Sequence, residues 1–332
     1  GLKAWETPEG SRLSRGTHIR NLLESIRDEE NIVSILPLSK DVLENPDGRF
    51  LMFATKMGLI KKTSLNEYVK INRNGKYALR FKIEGDSLVN VRSATNEHDI
   101  VMISTTGYAS RFKCSAIRAS GRVSGGVYGI KVGNRKGSGG GFVAGMVSIN
   151  DPEEQILTLS KFGMGKRSTI GTGDRVAILD EDGNQRMTES GEPRFTTDGY
   201  RQTRPGAKGV RTMKLDEEFE DSIISVRKIP NPDDHIFLLT KKGMMIRTEV
   251  SQTKKTTGKA TRGTRVMELR NKSKNGYADE VIFSARLPAE LIESSQKDAG
   301  EEFDELDLNN DGVIDKEEYI AAVKSGVLNE EE

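Results

Sequence analysis

The chain has 332 residues, a net charge of +1, 30% charged, 35% hydrophobic and only 6% aromatic residues, with 34 glycines. That mix disfavours a helical bundle and favours many short strands joined by tight turns. No run approaches the roughly 18 apolar residues of a membrane span, no signal-peptide pattern opens the chain, and the single cysteine, Cys114, excludes an internal disulfide framework and points to a reduced, cytoplasmic setting.

From the N-terminus, SRGTHIRNLL (Ser14–Leu23) and NIVSILPL (Asn31–Leu38) are the second element and the fourth strand of a unit that recurs in full further on, and LKAW (Leu2–Trp5) is all that stands of its first hairpin. The chain is therefore expected to begin inside a repeat of a longer protein. Complete units open with a hairpin: FLMFATKMGLIKKT from Phe50, IVMISTTGYASRFK from Ile100, QILTLSKFGMGKRS from Gln155 and HIFLLTKKGMMIRT from His235. Aligned glycines Gly58, Gly107, Gly163 and Gly243 supply the positive φ of a tight turn. Each hairpin is followed by a basic, glycine-containing turn with a third strand, at Asn72–Ile83, Ser124–Val132, Thr203–Leu215 and Ala260–Leu269. A fourth strand closes each unit: Asp86–Arg92, Gly140–Ile149, Asp221–Ile229 and Asp279–Leu287.

Four strands in about 50 residues is the arithmetic of a propeller blade. The expected organisation is all-β, a propeller-like disc over 1–287, with a partial blade at 1–49 and blades at about 50–99, 100–154, 155–234 and 235–287. The third unit carries an insertion, LDEDGNQRMTESGEPRF (Leu179–Phe195), expected as an extra projecting hairpin; GNRKGSGGG (Gly133–Gly141) reads as a flexible loop.

The segments FATKMGLIKKTSLNEY, STTGYASRFKCSAIRASGRVSGGVYGIKV and ATRGTRVMELR resemble blades of the gyrase A C-terminal domain, over Gly1 to about Leu287. The resemblance implies a β-pinwheel in which neighbouring blades exchange strands. It further implies a non-catalytic module of a type II DNA topoisomerase that wraps double-stranded DNA around a basic rim in support of supercoiling. The implied partners are the remainder of gyrase A and gyrase B in an A2B2 holoenzyme, located at the nucleoid. The Gln-Arg-Arg-Gly-Gly box of that family does not occur here. It lies upstream of Gly1, or it is degenerate as in a topoisomerase IV-like protein.

Candidate phosphate contacts recur at equivalent places. After the hairpin turns stand Lys61 and Lys62, Arg111 and Lys113, Lys166 and Arg167, and Arg247. At the later glycine turns stand Arg15, Arg73 and Lys76, Arg118 and Arg122, Arg204 and Lys208, and Arg262 and Arg265. Glycine beside a cation lets backbone approach a phosphate, and bending DNA needs a curved row of cations and no base contacts. Aromatics are scarce, and Phe53, Phe112, Phe162 and Phe237 lie within or near strands and read as core residues, so stacking on single-stranded bases is a poor fit. A propeller scaffold for protein partners is the competing reading. An enzyme is disfavoured, because His18, His98 and His235 share no motif with carboxylates or cysteine.

Pro288–Glu332 carries fifteen acidic residues against three lysines, a charge of −12, which leaves 48 cations against 35 anions, or +13, on the rest. A basic body with an acidic tail is the pattern of a nucleic-acid binder with a regulatory segment. Within the tail, DLNNDGVIDKEE (Asp307–Glu318) fits a single EF-hand loop for Ca2+ flanked by helices. Asp307, Asn309, Asp311, the Val313 carbonyl, Asp315 through water and Glu318 are the expected ligands, and Gly312 makes the sharp turn.

Overall fold

The computed structural model describes residues 8, 17–21, 26, 30–70, 75–256, 261–270 and 276–292. All four expected hairpins form: β1 (Arg49–Thr55) with β2 (Leu59–Ser64), β4 (Asp99–Ser104) with β5 (Tyr108–Lys113), β8 (Gln155–Ser160) with β9 (Met164–Thr169), and β14 (His235–Thr240) with β15 (Met245–Glu249). The closing strands β3 (Leu88–Thr95), β7 (Val143–Ile149), β13 (Ile223–Ile229) and β17 (Val281–Leu287) each return antiparallel to the first strand of their own hairpin.

The third strand of each unit behaves differently. The short strands β6 (Val127–Tyr128), β12 (Val210–Arg211) and β16 (Thr264–Arg265) pair with the hairpin of the preceding unit. The sheet orders are β3-β1-β2-β6, β12-β5-β4-β7 and β13-β8-β9-β16, with a three-stranded β15-β14-β17 at the end. A simple propeller blade, with all four strands from one unit, is therefore corrected to a strand-exchanged disc, the arrangement that the family resemblance implied. The registers repeat: Leu59↔Tyr128, Tyr108↔Arg211 and Met164↔Arg265 place the residue after each hairpin glycine opposite the second residue of the incoming strand. Glycine is required at that turn twice over. At Gly107 φ is +84°, and a Cβ would lie 2.6 Å from the incoming Met213 carbonyl oxygen, closer than atoms approach.

The core lies between sheets. Ile100 and Met102 pack towards Met52, Ile60 and Ile130, whereas Val101 and Ile103 on the opposite face pack towards Ile156, Met213 and Val226. Both faces of β4 are covered, which explains why it reads as an apolar run rather than an alternation. A further cluster, including Leu157, Leu159, Ile236 and Leu238, joins the last two sheets. At about 1.5–3 kcal/mol for each large aliphatic side chain buried, these clusters are what stack the sheets.

The insertion projects as expected, with β10 (Arg175–Ala177) paired to β11 (Phe195–Thr197). Beyond them two tight turns fold a middle segment in, so that Ile178, Arg186 and Arg194 are linked in a ring of backbone bonds of 2.7–3.0 Å. The Gly133–Gly141 segment is a closed turn rather than a loose loop: the Gly133 N–H donates to the Gly141 carbonyl at 2.7 Å, and Ser138 Oγ donates to the Gly133 carbonyl at 2.5 Å. No helix among the described residues is long and apolar enough to cross a membrane.

Candidate nucleic-acid interface

The recurring cations divide into two classes that spacing alone does not separate. Lys61, Lys62, Arg111 and Lys166 are 1–4% exposed and point inward, which corrects their reading as phosphate contacts. In β2, β5 and β9 the stretch carrying these four residues is buried, so their charges must be satisfied by protein acceptors. Lys61 Nζ donates to the Ala78 carbonyl at 2.6 Å and to the Arg122 carbonyl. Burial and the Arg122 charge lower its pKa to about 8. Lys166 Nζ donates to the Thr212 carbonyl, and burial lowers its pKa to about 8 as well. Lys62 Nζ donates to Asn96 Oδ1 at 2.5 Å and to the Cys114 carbonyl at 3.1 Å.

Arg111 is the most fully engaged of the four. Its Nε and Nη2 donate to Asp99 Oδ2 at 2.9 and 2.5 Å, and its Nη1 to the carbonyls of Ile170, Gly171 and Tyr200 at 3.1, 2.8 and 2.8 Å. It therefore pins the foot of the projecting insertion to the neighbouring sheet.

The second class lies at the surface. Lys76, Lys113, Arg118, Arg204, Lys208, Arg247, Arg262 and Arg265 are exposed, or nearly so, and Arg122 and Arg167 are half-buried. Several are lightly tethered: Lys113 Nζ lies 3.2 Å from Asp99, Arg122 Nε lies 3.2 Å from Glu67, and Lys76 Nζ lies 3.4 Å from the Glu67 carbonyl. Arg265 pairs with Glu268, and the Lys208 ammonium sits 4.5 Å from the Tyr108 ring centre. Arg15 and Arg73, and the proposed calcium ligands Asp307, Asn309, Asp311, Val313, Asp315 and Glu318, lie outside the described residues. Of the aromatics, Phe53 and Phe112 are core, whereas Phe162 and Phe237 are half-buried, Phe162 stacking on Tyr277 at 4.0 Å.

The structure adds cations that attention to turns missed. Arg80 and Lys82 join Arg118 along a groove of about 820 Å3 beside Gly125 and Gly126. Lys82 Nζ donates to the Gly126 carbonyl at 2.6 Å, and the Arg80 N–H donates to the Ser124 carbonyl at 3.3 Å, so the two segments form one wall. Lys214 and Arg270 join Arg262 and Arg265 in a smaller recess of about 100 Å3 that also holds Asp216 and Asp221. Burial raises the Asp221 pKa. The signal for Arg80 and Lys82 was present as alternating basic residues in YALRFKI.

Exposed cations thus recur beside the glycine turns that feed the exchanged strands. The family model of the "DNA gyrase C-terminal domain, beta-propeller" matches residues 49–95, 98–150, 194–230 and 234–275. The gyrase A protein of Deinococcus deserti is 31% identical over 268 residues, 80% of this chain and 28% of that protein. The gyrase A protein of Staphylococcus aureus is 28% identical over 332 residues, 100% of this chain and 33% of that protein. The chain thus spans about a quarter to a third of the length of these relatives. Among solved structures, the C-terminal domain of DNA topoisomerase IV superposes with a TM-score of 0.62 at 18% identity, covering 86% of this chain and 75% of that one. A DNA gyrase A C-terminal domain gives 0.60 at 20% identity, covering 86% and 78%. With its strand-exchanged β-disc and this repeat, the chain belongs to the DNA gyrase C-terminal domain family.

Proposed function

We propose that the chain is a non-catalytic module that binds duplex DNA on its exposed turn cations and bends it around the edge of the disc. In the parent protein it would serve a gyrase, beside the remainder of gyrase A and gyrase B, by wrapping DNA in support of supercoiling. The observation that supports this reading is the recurrence of exposed cations at equivalent glycine turns, Arg118, then Arg204 and Lys208, then Arg262 and Arg265. Smooth bending of 20–30 bp costs on the order of 1–6 kcal/mol, which a handful of phosphate contacts with counterion release can offset.

Calcium is proposed as the modulator. With Ca2+ at Asp307, Asn309, Asp311, Val313, Asp315 and Glu318, the tail charge of −12 is partly neutralised and competes less with DNA for the body. The test is ligation of nicked plasmid with the chain, in Ca2+ or in chelator, with linking number read on a gel. A protein-dependent shift supports wrapping, and a calcium-dependent difference supports the tail as a regulator. Binding without a shift refutes wrapping; equal shifts with and without calcium refute the switch. A scaffold for protein partners becomes the better account if no DNA binds at low salt.

A further inference from the structure

Two positions recur side by side on one face of every hairpin, and in the first three the cation of the pair reaches the next sheet. Counted from the turn glycine, the fourth residue after it is Lys62, Arg111, Arg167 or Arg247, and the eighth before it is Phe50, Asp99, Gln155 or His235. The registers Met52↔Lys62, Val101↔Arg111, Leu157↔Arg167 and Phe237↔Arg247 make each such pair diagonal neighbours on one face. The cation reaches forward to the turn that follows the next hairpin. Lys62 reaches the Cys114 carbonyl, Arg111 the Ile170 and Gly171 carbonyls, and Arg167 the Ser251 carbonyl.

The three clamps are unequal. Arg111 is held by the Asp99 carboxylate and three carbonyls, and charge-assisted bonds of this kind are about twice as strong as neutral ones. Lys62 lacks a carboxylate but sits 4.1 Å from the Phe50 ring centre and makes two hydrogen bonds. Among the described residues the Arg167 guanidinium makes one bond, at 3.4 Å, beyond the usual range. Its Nε and the Oε1 of Gln155 are both buried without a partner among the described residues. The closing strands β13 and β17 of the same two sheets are joined directly: Ser284 Oγ donates to Ser225 Oγ at 2.7 Å, and Arg227 Nη2 donates to the Ser284 carbonyl at 2.6 Å.

We propose that the joint between the β8–β9 and β14–β15 sheets is where the disc flexes, pivoting on β13 and β17. Gln155 and Arg167 then act as positioning residues that set the last sheet, and its exposed cation Arg247 on β15, on the DNA path. The second half of this proposal rests on the DNA-binding reading; the first half does not. Where the second sheet carries a carboxylate that locks its arginine, the third carries an amide that leaves it loose.

Matching amides report on the three joints, because each closes the turn after a hairpin. Cys114 N–H donates to the His98 carbonyl at 2.8 Å, Ile170 N–H to the Glu154 carbonyl at 3.0 Å and Val250 N–H to the Asp234 carbonyl at 2.8 Å. Hydrogen exchange on the full chain without DNA is expected to find Val250 at least about tenfold faster than Ile170. Gln155→Asp, which installs the carboxylate of the second sheet, is expected to bring the two within about threefold, and Gln155→Glu serves as a second variant in case the shorter side chain disturbs β8. Equal protection of Val250 and Ile170 in the parent chain overturns the flexing joint, as does a Val250 rate unmoved by both variants. In the ligation assay, Gln155→Asp is expected to change the linking-number shift per bound protein while leaving affinity within about twofold. A slower Val250 with an unchanged linking number overturns the positioning role and leaves the joint standing. If the parent chain binds no DNA, the proposed function fails, and the exchange rates still decide the joint.

Discussion

Replacing Arg111 by methionine separates a buried clamp from a DNA contact. The change keeps most of the aliphatic stem and removes the guanidinium. Asp99, 4% exposed, is then left with Lys113, 3.2 Å away, and with Gln202 Nε2, which donates to its Oδ1 at 3.5 Å. The Gly171 and Tyr200 carbonyls lose their 2.8 Å partners, while the Ile170 carbonyl keeps the Tyr200 N–H at 2.8 Å. Removing one member of a buried ion pair costs about 3–5 kcal/mol; with Lys113 as a partial substitute, the expected loss is near the lower end, about 3 kcal/mol. Asp99→Asn leaves all three carbonyl bonds of Arg111 in place and is expected to cost about 1–2 kcal/mol. The double variant is expected to be about as unstable as Arg111→Met alone, giving a coupling of about 1–2 kcal/mol. The assay is equilibrium urea unfolding of the four chains followed by circular dichroism, paired with DNA affinity across a salt series under folded conditions. A phosphate contact would lower the salt slope by about 1, whereas a buried clamp leaves it unchanged. Stability within about 0.5 kcal/mol of the parent, together with a shallower salt slope, would refute the assignment.

The exposed class is expected to behave in the opposite way. Arg204→Ala with Lys208→Ala should reduce the magnitude of the salt slope by about 1.8 and leave the urea midpoint unchanged; a shifted midpoint with an unchanged slope counts against a DNA role. Lys61 and Lys166 are held at about 8 in the folded chain, below the unfolded value. The unfolded chain therefore binds more protons between about pH 8 and 10.4, and stability from these groups should rise across that window. Lys166→Met should flatten the rise, read as urea midpoints at intervals from about pH 7.5 to 10; identical pH profiles would contradict the burial. Gly107→Ala should destabilise by about 2 kcal/mol or more, because φ at +84° and the Met213 carbonyl both oppose a Cβ. A neutral result by thermal unfolding would mean that the exchanged strand can withdraw at little cost.

The hairpins were legible because glycine at a fixed place between two apolar runs has few structural meanings, and four copies remove most of those. The owner of each third strand was not legible from pattern alone. GVY at Gly126–Tyr128 and GVR at Gly209–Arg211 carry the same signal whether they pair with their own hairpin or with the one before. The identity of the neighbour is decided by face-to-face packing, such as Ile130 against Ile60 and Met52. The same ambiguity misplaced Lys61, Lys62, Arg111 and Lys166 among the candidate cations. Lysine and arginine on a strand normally mark its wet side, and here both sides are dry. Lys61 and Lys166 find backbone carbonyls instead of water or phosphate, and only three-dimensional neighbours supply those. The turn cations Arg118, Arg204, Lys208 and Arg262 lie exposed because a tight turn has little to bury them.

Strand exchange also sets the order in which this chain can mature on the ribosome. The first sheet has its hairpin complete at Ser64, but its outer strand is Val127–Tyr128. At about 5–20 residues per second the intervening stretch of roughly 64 residues takes about 3–13 s to synthesise. Throughout that interval the edge of β2 is an open template, and the next two sheets wait longer, about 95 residues each, for β12 and β16. A nascent chain that pauses between units therefore always presents one unfinished edge, whichever unit has just emerged.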